Sequence, residues 1–295
     1  MLIKFWGVRG SIPVPGANTV VYGGNTTCIE IITSERHRVI IDAGTGIREL
    51  GNCMLKEEFG EGKGLAHILF THSHWDHIQG FPFFAPAYIG KRSEDGTRIP
   101  GLCNEFNLYG SADVGDRLEN IMRGQMDNRY FPVDLSYLSA IINFKTLIEN
   151  KTEIGNTKIT ARRLLHPNGV LGFRIEDQDK ILTIATDCEH PNNGTIDANL
   201  LELANNADVL IYDGQYTEQE YNPEKFNIKA QTKKGFGHST PDEGVKMAQE
   251  AGVKKLVITH HDPLHTDKIL SHMEEHTKSL FSNSIFAREG LCIEL

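Results

Sequence analysis

The hydrophobic pattern of the N-terminal part predicts short strands followed by one helix. Three segments are rich in β-branched and aromatic residues and are separated by Gly, Pro and Asn: LIKFWGV, TTCIEIIT and HRVIIDAG. The segment GTGIRELGNCMLKEEFG has apolar residues at near-helical spacing, which predicts a helix. The apolar run AHILF then predicts a buried strand that leads directly into THSHWDH at residues 71–77.

The rest of the chain predicts a second group of strands with helices after it. Residues 85–108 combine turn residues with mixed charges, which predicts a long loop insertion, and a helix is predicted at about 111–126. Further strands are predicted in AIINFKTL, TKITARRLLH, VLGFRIED, KILTIATD, ADVLIYDG and KKLVITHH. Because no Pro/Ser-rich linker divides the chain, we expect a single domain over residues 1–295. Its class is α/β or α+β, with two sheets packed face to face.

The composition is typical of a globular protein. Hydrophobic residues make up 39% of the chain, yet no apolar run approaches the ~20 residues of a membrane span. The N-terminal MLIKFWGVRG lacks the apolar core of a secretory signal, so a cytoplasmic location is expected. The five cysteines form no C-x-x-C pair, and the net charge of −9 disfavours a protein that grips extended nucleic acid.

Histidine and aspartate residues recur at the ends of the predicted strands. The complete set is Asp42, His72, His74, Asp76, His77, His166, Asp187 and His260. Taken singly, Asp42 or His166 is explained as a turn or loop residue, but strand ends that converge on one edge of a sheet bring such residues together. Imidazole and carboxylate donors without thiolate favour Zn²⁺, with Mn²⁺ or iron as alternatives.

The stretch THSHWDH matches the H-x-H-x-D-H signature of the metallo-β-lactamase superfamily, and the later His, Asp and His follow in the expected order. The chain resembles this superfamily from Asp42 to His260. The resemblance implies an αββα sandwich, two mixed β-sheets flanked by helices, with two divalent metal ions at its edge. It implies one ion held by His72, His74 and His166, a second held by Asp76, His77 and His260, and Asp187 as the bridge. Asp42 would orient a ligand histidine, and His261 is the adjacent alternative to His260.

Two ligand positions narrow the expected chemistry. His74 stands where the diiron flavoprotein branch usually has Glu, so hydrolysis is favoured over redox chemistry. Asp187 stands where zinc β-lactamases place a cysteine ligand. We expect Cys188 to point away from the metals, because successive side chains of a strand alternate. A carboxylate that bridges two metals fits the phosphodiesterase branches.

A second motif, G-H-S-T at residues 237–240, resembles the segment of tRNase Z and its phosphodiesterase relatives that opens a helix before the last metal histidine. In that pattern His238 is catalytic and protonates the leaving oxygen, Asp213 holds its tautomer, and Asp76 orients the attacking hydroxide. A plainer interpretation also stands. His238 then only begins a helix beside the cap Ser239 or Thr240, and Asp213 only ends a strand in an Asp-Gly turn.

The substrate implied by the resemblance is a small anionic phosphodiester, most specifically a cyclic mononucleotide. The opening FWGVRGSIPVPG resembles bacterial metallo-hydrolases that include cyclic-nucleotide phosphodiesterases. The candidate substrate contacts are Tyr22, Asn25, Thr26, Ser239 and Thr240, each of which also suits a turn, a strand start or a helix cap. The alternatives are a tRNA 3′-processing endonuclease, a glyoxalase II-like thioesterase and an inactive metal-binding sensor. We expect no membrane partner and no extended nucleic acid, and the tRNase Z relatives imply a homodimer.

Overall fold

The first large sheet is built mainly from the N-terminal half. The structure, a computed structural model, describes residues 1–111, 117–147, 151–191 and 194–295. The first strands are β1 (Leu2–Gly7), β2 (Cys28–Ile32), β3 (Arg38–Ile41) and β4 (Leu65–Leu69). A separate two-stranded hairpin follows, formed by β5 (Gly90–Arg92) and β6 (Arg98–Cys103). The chain then returns to the first sheet through β7 (Glu105–Ser111) and β8 (Ile141–Leu147).

The second large sheet follows in chain order. Its strands are β9 (Lys151–Ile154), β10 (Thr157–Leu164), β11 (Val170–Asp177), β12 (Lys180–Ala185), β13 (Val209–Asp213), β14 (Lys255–Thr259) and β15 (Ser284–Phe286). They are adjacent in that same order across the sheet. The last strand, β16 (Cys292–Glu294), returns to the first sheet and pairs with β1.

Each sheet changes from antiparallel to parallel pairing partway across. In the first sheet, β16 to β3 pair antiparallel, whereas β3, β4, β7 and β8 pair parallel. In the second sheet, β9 to β12 pair antiparallel and β12 to β15 pair parallel. The parallel strands include continuous apolar runs such as VLIYD in β13, which is buried along its whole length. Parallel strands end at a common edge, which brings their C-terminal residues together.

Helices cover the outer faces of both sheets. They are α1 (Ile47–Met54), α2 (Trp75–Ile78), α3 (Leu118–Gln125), α4 (Ala198–Ala204), α5 (Glu218–Tyr221), α6 (Pro241–Glu250) and α7 (Asp267–Leu280). Short 3₁₀ turns lie at Glu58–Glu61, Phe81–Phe83, Ala85–Tyr88, Leu135–Tyr137 and Pro223–Phe226. None of the helices in the described part of the chain is both long and apolar enough to cross a membrane.

Three hydrophobic cores define the layers. The central core lies between the sheets and joins residues such as Ile31 of β2 with Phe173 of β11. A second core packs α1 and α3 against the first sheet, and a third packs α4, α6 and α7 against the second sheet. Burial of these apolar faces drives the helices onto the sheets. The predicted αββα sandwich is confirmed.

Residues 85–108 do not form the predicted loop insertion. They form a 3₁₀ turn, the β5–β6 hairpin and the start of β7, which lies between β4 and β8 in the first sheet. Phe106 and Leu108 are fully buried there. The apolar part of β7 is short and follows many turn residues, so periodicity alone does not reveal it. The helix predicted at 111–126 is present as α3, and residues 112–116 lie outside the described residues.

Candidate metal centre

Three of the predicted site residues adopt left-handed backbone conformations just after strands. Asp42 follows β3 with φ of 60°, Asp187 follows β12 with φ of 55°, and His260 follows β14 with φ of 60°. Residues other than glycine adopt such angles rarely, and this kind of strain is concentrated at functional sites. At each of these positions the left-handed turn ends the strand, so the side chain no longer follows the alternating up-and-down pattern of the sheet.

His72, His74 and His166 form the first cluster of candidate ligands. One ring nitrogen of each lies within 4.8 Å of the others, and His166 Nε2 lies 3.1 Å from His74 Nδ1. The His72 ring packs edge-on against both partners. His166 Nδ1 donates to the carbonyl of Gly237 at 2.8 Å, which leaves its other nitrogen facing the cluster.

Asp76, His77, Asp187 and His260 form the second cluster, and all four are buried. His260 Nε2 lies 3.3 Å from Asp76 Oδ2 and 3.2 Å from Asp187 Oδ1. His77 Nε2 lies 3.3 Å from Asp76 Oδ2 and 3.2 Å from Asp187 Oδ2. Asp187 also approaches the first cluster, with 3.9 Å between its Oδ1 and His72 Nε2. Its carboxylate therefore lies between the two clusters.

The unsatisfied atoms of these clusters fit bound cations. His72 Nε2, His77 Nε2 and Asp187 Oδ2 are buried and accept or donate no hydrogen bond among the described residues. Buried polar atoms are rarely left unpaired, and imidazole and carboxylate donors that face each other suit a divalent metal. Burial lowers the pKa of His260, but the surrounding carboxylates, Asp187 foremost, outweigh that effect and raise the pKa to about 9. The carboxylates of Asp187 and Asp76 thus place negative charge beside the ring, which a bound cation would neutralise.

Neighbouring side chains hold the ligand rings in place. Asp42 is fully buried, and His77 Nδ1 donates to its Oδ2 at 2.7 Å. Thr71 donates to the same carboxylate from its amide and its hydroxyl, both at 2.8 Å. Burial raises the pKa of Asp42, and the contact with His77 opposes that shift. His260 Nδ1 donates to Gln215 Oε1 at 3.0 Å. Fixing one ring nitrogen in this way leaves the other free to bind a metal.

The N-terminal GVRG segment closes one side of the second cluster. The amide of Ser11 donates to Asp76 Oδ2 at 2.7 Å. Gly10 packs against His260 so closely that a Cβ at this position would overlap the imidazole ring. Arg9 is fully buried and donates to three backbone carbonyls, which anchors the segment. The glycine is therefore required by close packing against a candidate ligand.

His238 and Asp213 lie directly beside the clusters. His238 Nδ1 donates to Asp213 Oδ2 at 2.9 Å. The His238 ring stacks on His260 and packs edge-on against His166, with 5.1 Å between centroids in each case. Asp213 is fully buried and also accepts from the amides of Asp187 and Ser239, at 2.9 and 3.1 Å. One carboxylate thus fixes both the His238 ring and the backbone of Asp187.

The sequence profile of the beta-lactamase superfamily domain matches residues 37–261. The chain belongs to the metallo-β-lactamase superfamily. Ribonuclease Z of Archaeoglobus fulgidus is 30% identical over 99% of this chain and 97% of its own. The human short form of tRNase Z has a TM-score of 0.63 at 18% identity, covering 100% of this chain and 99% of that one. Zn²⁺-bound PqqB from Methylobacterium extorquens has a TM-score of 0.71 at 15% identity, covering 100% of both chains. The two solved structures share the fold, and the family match together with the ribonuclease Z relatives identifies this chain as a metal-dependent hydrolase.

Two residues adjacent to predicted ligands, His261 and Cys188, point away from the clusters. His261 is fully buried, and its Nε2 donates to the carbonyl of Ala287 at 2.8 Å. Burial lowers the pKa of His261 to about 3. The thiol of Cys188 donates to the carbonyl of Ala185 at 3.3 Å and packs in the core under the helices. His260, rather than His261, therefore faces the other candidate ligands.

The N-terminal residues expected to contact substrate are engaged elsewhere. Tyr22 is buried, and its hydroxyl donates to Glu274 at 2.6 Å. Asn25 is held by Glu289, which accepts from its amide at 2.7 Å and from its side chain at 3.1 Å. Thr26 is fully buried. These side chains stabilise the protein's own loops, which does not fit the predicted contact with substrate.

Ser239 and Thr240 of the G-H-S-T motif are also engaged within the protein. The hydroxyl of Ser239 is buried and lies 2.7 Å from the hydroxyl of Tyr212. Thr240 caps α6, because its hydroxyl accepts from the amide of Glu243 and donates to Glu218 at 2.7 Å. The helix-cap interpretation fits these two residues better than contact with substrate does.

Other residues lie at the site that no sequence pattern marks. Glu189 accepts from the amides of Gly235 and Gly237, at 2.7 and 3.0 Å, and so fixes the loop before His238. Tyr216 packs edge-on against His238 at 5.9 Å between centroids. The only signal for Glu189 in the sequence is its position, two residues after the predicted metal ligand Asp187. Their roles come from tertiary packing.

Proposed function

We propose that this chain is a two-metal phosphodiesterase that hydrolyses a small cyclic nucleotide. The observation that carries the proposal is the pair of His238 and Asp213 beside the two ligand clusters. A metal-binding protein without catalysis has no use for a buried carboxylate that orients an extra histidine. A thioesterase leaves a thiolate, which needs protonation less than an alkoxide does, so the pair favours phosphodiester cleavage over a glyoxalase II-like activity.

The proposed ligand sets are His72, His74 and His166 for one ion, Asp76, His77 and His260 for the other, and Asp187 between them. Zn²⁺ is the proposed metal, with Mn²⁺ as the alternative. Bound divalent ions would supply Lewis acidity to the phosphoryl oxygens and lower the pKa of water. Asp76, held by the amide of Ser11, would orient the attacking group.

The proton of the reaction would pass through His238. Asp213 accepts from its Nδ1, which fixes the ring and leaves Nε2 directed away from the buried carboxylate. Nε2 would donate a proton to the oxygen that leaves phosphorus, and the nearby carboxylate would stabilise the charged imidazolium before that transfer. The His238 ring lies against His166 and His260, so the proposed proton donor contacts one proposed ligand of each ion.

Charge and shape support a small substrate. The net charge is −9, whereas a protein that grips an RNA backbone needs a basic surface. Between His166 and Asp187 the chain forms the plain β11–β12 hairpin. Within the described residues 194–237 it forms only α4, β13, α5, a 3₁₀ turn and connecting loops. Neither stretch supplies an extended arm for a large RNA.

Processing of the tRNA 3′ end is the second candidate. It is favoured by one specific observation, the 30% identity to a protein named ribonuclease Z over nearly the whole of both chains. Both candidates use the same metals and the same proton donor, so they differ only in what surrounds the site. The predicted homodimer and cytoplasmic location remain proposals. Light scattering after gel filtration tests the first.

The decisive experiment compares the metal-loaded protein with His238→Ala on bis(p-nitrophenyl) phosphate. We expect hydrolysis by the wild type and a loss of kcat of about 100-fold or more in the variant, because general acid catalysis contributes that much. His276→Ala is the matched control, since His276 also pairs with an aspartate, Asp242, at 3.1 Å but is exposed on α7. The control should keep wild-type activity.

A panel of substrates then separates the candidates. Faster turnover of cyclic mononucleotides than of precursor tRNA supports the proposal, and the reverse order replaces it with tRNA processing. Hydrolysis of a glutathione thioester but not of a phosphodiester would favour the thioesterase. If a protein shown to hold two metal ions hydrolyses none of these substrates, the result would favour the inactive metal-binding sensor.

A further inference from the structure

The loop from Lys233 to His238 is a rigid turn built on two left-handed glycines. Gly235 and Gly237 have φ of 84° and 85°. The amide of Phe236 donates to the carbonyl of Lys233 at 3.2 Å, which closes the turn. Glu189 accepts from both glycine amides and also from the hydroxyl of Tyr221 at 2.7 Å. This loop therefore holds the side chains that precede His238 in fixed positions.

The ammonium of Lys233 lies one aromatic ring away from His238. Its Nζ is 5.6 Å from the centroid of the Tyr216 ring and 5.2 Å from that of Phe236. The same Tyr216 ring also contacts His238, whose ring it meets edge-on at 5.9 Å between centroids. Cation–π contact with two rings limits the freedom of the lysine side chain. Tyr216 thus contacts both the lysine ammonium and the ring of the proposed proton donor.

Lys233 and the adjacent Lys234 differ in the partners of their ammonium groups. Lys234 forms an ion pair with Glu224 at 2.9 Å. Lys233 is only partly exposed, and within the described parts of the chain no carboxylate pairs with it. In a protein with a net charge of −9, a partly buried cation on the loop that leads to His238, without a carboxylate partner among the described residues, favours an anionic ligand.

We propose that Lys233 is a substrate-binding residue whose ammonium contacts an oxygen of the phosphodiester on the side where His238 protonates the leaving group. This inference rests on the proposed phosphodiesterase function and specifies its substrate as an anionic ester. Phe236, 42% exposed, forms the apolar wall next to the cation. Lys233 thereby adds selectivity against neutral esters and thioesters, which carry no charge for it to bind.

The test compares Lys233→Gln, Lys233→Arg and Lys234→Gln in the metal-loaded protein. For bis(p-nitrophenyl) phosphate we expect Lys233→Gln to raise KM about tenfold while kcat stays close to wild type, because a charge-assisted contact made before the chemical step is lost. Lys233→Arg should keep KM close to the wild-type value, since the charge remains. Lys234→Gln is the matched control, one residue away with its charge already paired, and should leave KM unchanged.

A binding measurement separates this inference from the proposed function. Calorimetric titration of the metal-loaded proteins with inorganic phosphate should show a Kd raised about tenfold in Lys233→Gln alone, and the effect should shrink at high ionic strength. This readout applies even if the wild type hydrolyses no phosphodiester. Equal phosphate affinity in wild type and Lys233→Gln would overturn the proposal. A lowered melting temperature with no rescue by arginine would also overturn it, because the lysine would then serve only packing.

Discussion

The two halves of this molecule contribute to the metal centre in different ways. The first sheet supplies four candidate ligands from one short stretch, residues 72–77, which follows β4 and extends into α2. The second sheet supplies His166, Asp187 and His260 from the ends of three separate strands. Asp213 and His238, which flank those ligands, also come from this half. One half is thus a local motif, and the other is assembled by long-range pairing.

The difference shows what each half depends on. In the first half, the turn and α2 place the ligands, so a short segment defines their spacing. In the second half, the strand register places the ligands. Ala185 pairs with Tyr212, and Tyr212 pairs with Ile258, so that β12, β13 and β14 end side by side. A slip of one residue in these strands would turn every side chain to the opposite face. The second half therefore requires the whole sheet.

Removal of the metals should change activity and stability more than any other test, because both halves supply proposed ligands. EDTA is expected to abolish phosphodiester hydrolysis and to lower the melting temperature, because buried imidazoles and carboxylates lose their common partner. His72→Ala and His260→Ala should each bind less metal and lose activity by about 100-fold or more. Metal content by mass spectrometry and initial rates check this. His272→Ala, exposed on α7, is the control. Full metal content in either ligand variant would show that its half does not bind metal.

The orienting aspartates should separate binding from catalysis. Asp42→Asn is expected to weaken metal affinity about 10- to 100-fold, because the hydrogen bond that fixes His77 is weakened. Asp213→Asn should instead lower kcat by about 100-fold at saturating metal, because His238 loses its charged partner. Competition with a fluorescent chelator measures the first effect, and steady-state kinetics measures the second. If both variants change metal affinity and kcat in the same proportion, the proposed separation of roles between Asp42 and Asp213 is wrong.

The smallest expected effect lies away from the site, in the first half. His67 on β4 is buried, and burial lowers its pKa to about 4. Because this pKa lies below that of the unfolded chain, the neutral form stabilises the fold above about pH 6.5, and this stability is lost as the pH falls toward 4. After a discount for the part of the ring that solvent still reaches, this contribution to the free energy of unfolding is about 2 kcal/mol.

The test for His67 is urea unfolding at neutral and acidic pH. His67→Gln should reduce the loss of unfolding free energy between pH 7 and 4.5, relative to wild type. Acid also protonates the metal ligands, so only the difference between the two proteins reports on His67. An identical loss in both proteins would show that this histidine does not contribute to acid sensitivity.

Most of the architecture is visible in local patterns, and the failures have physical causes. The strands around Ile31, Phe173 and Ile211 are predicted because their apolar residues are dense and bounded by turn residues. β7 is not predicted, since Phe106 and Leu108 become buried only when β4 and β8 pair on either side. The substrate contacts assigned to Tyr22 and Thr26 fail to fit because a glycine-rich turn has the same composition whether it lines a pocket or supports a core.

The sequence by itself determined the ligand types and their order, because a metal accepts only a few donor atoms and THSHWDH concentrates them in one turn. Tertiary structure decided the rest. It turned His260 toward Asp76 and Asp187 while His261 bonds to a carbonyl. It also brought Asp213 and Glu189 to the loop that carries His238. These contacts depend on which strand ends become neighbours, and that is set by the pairing and packing of two whole sheets rather than by any local spacing.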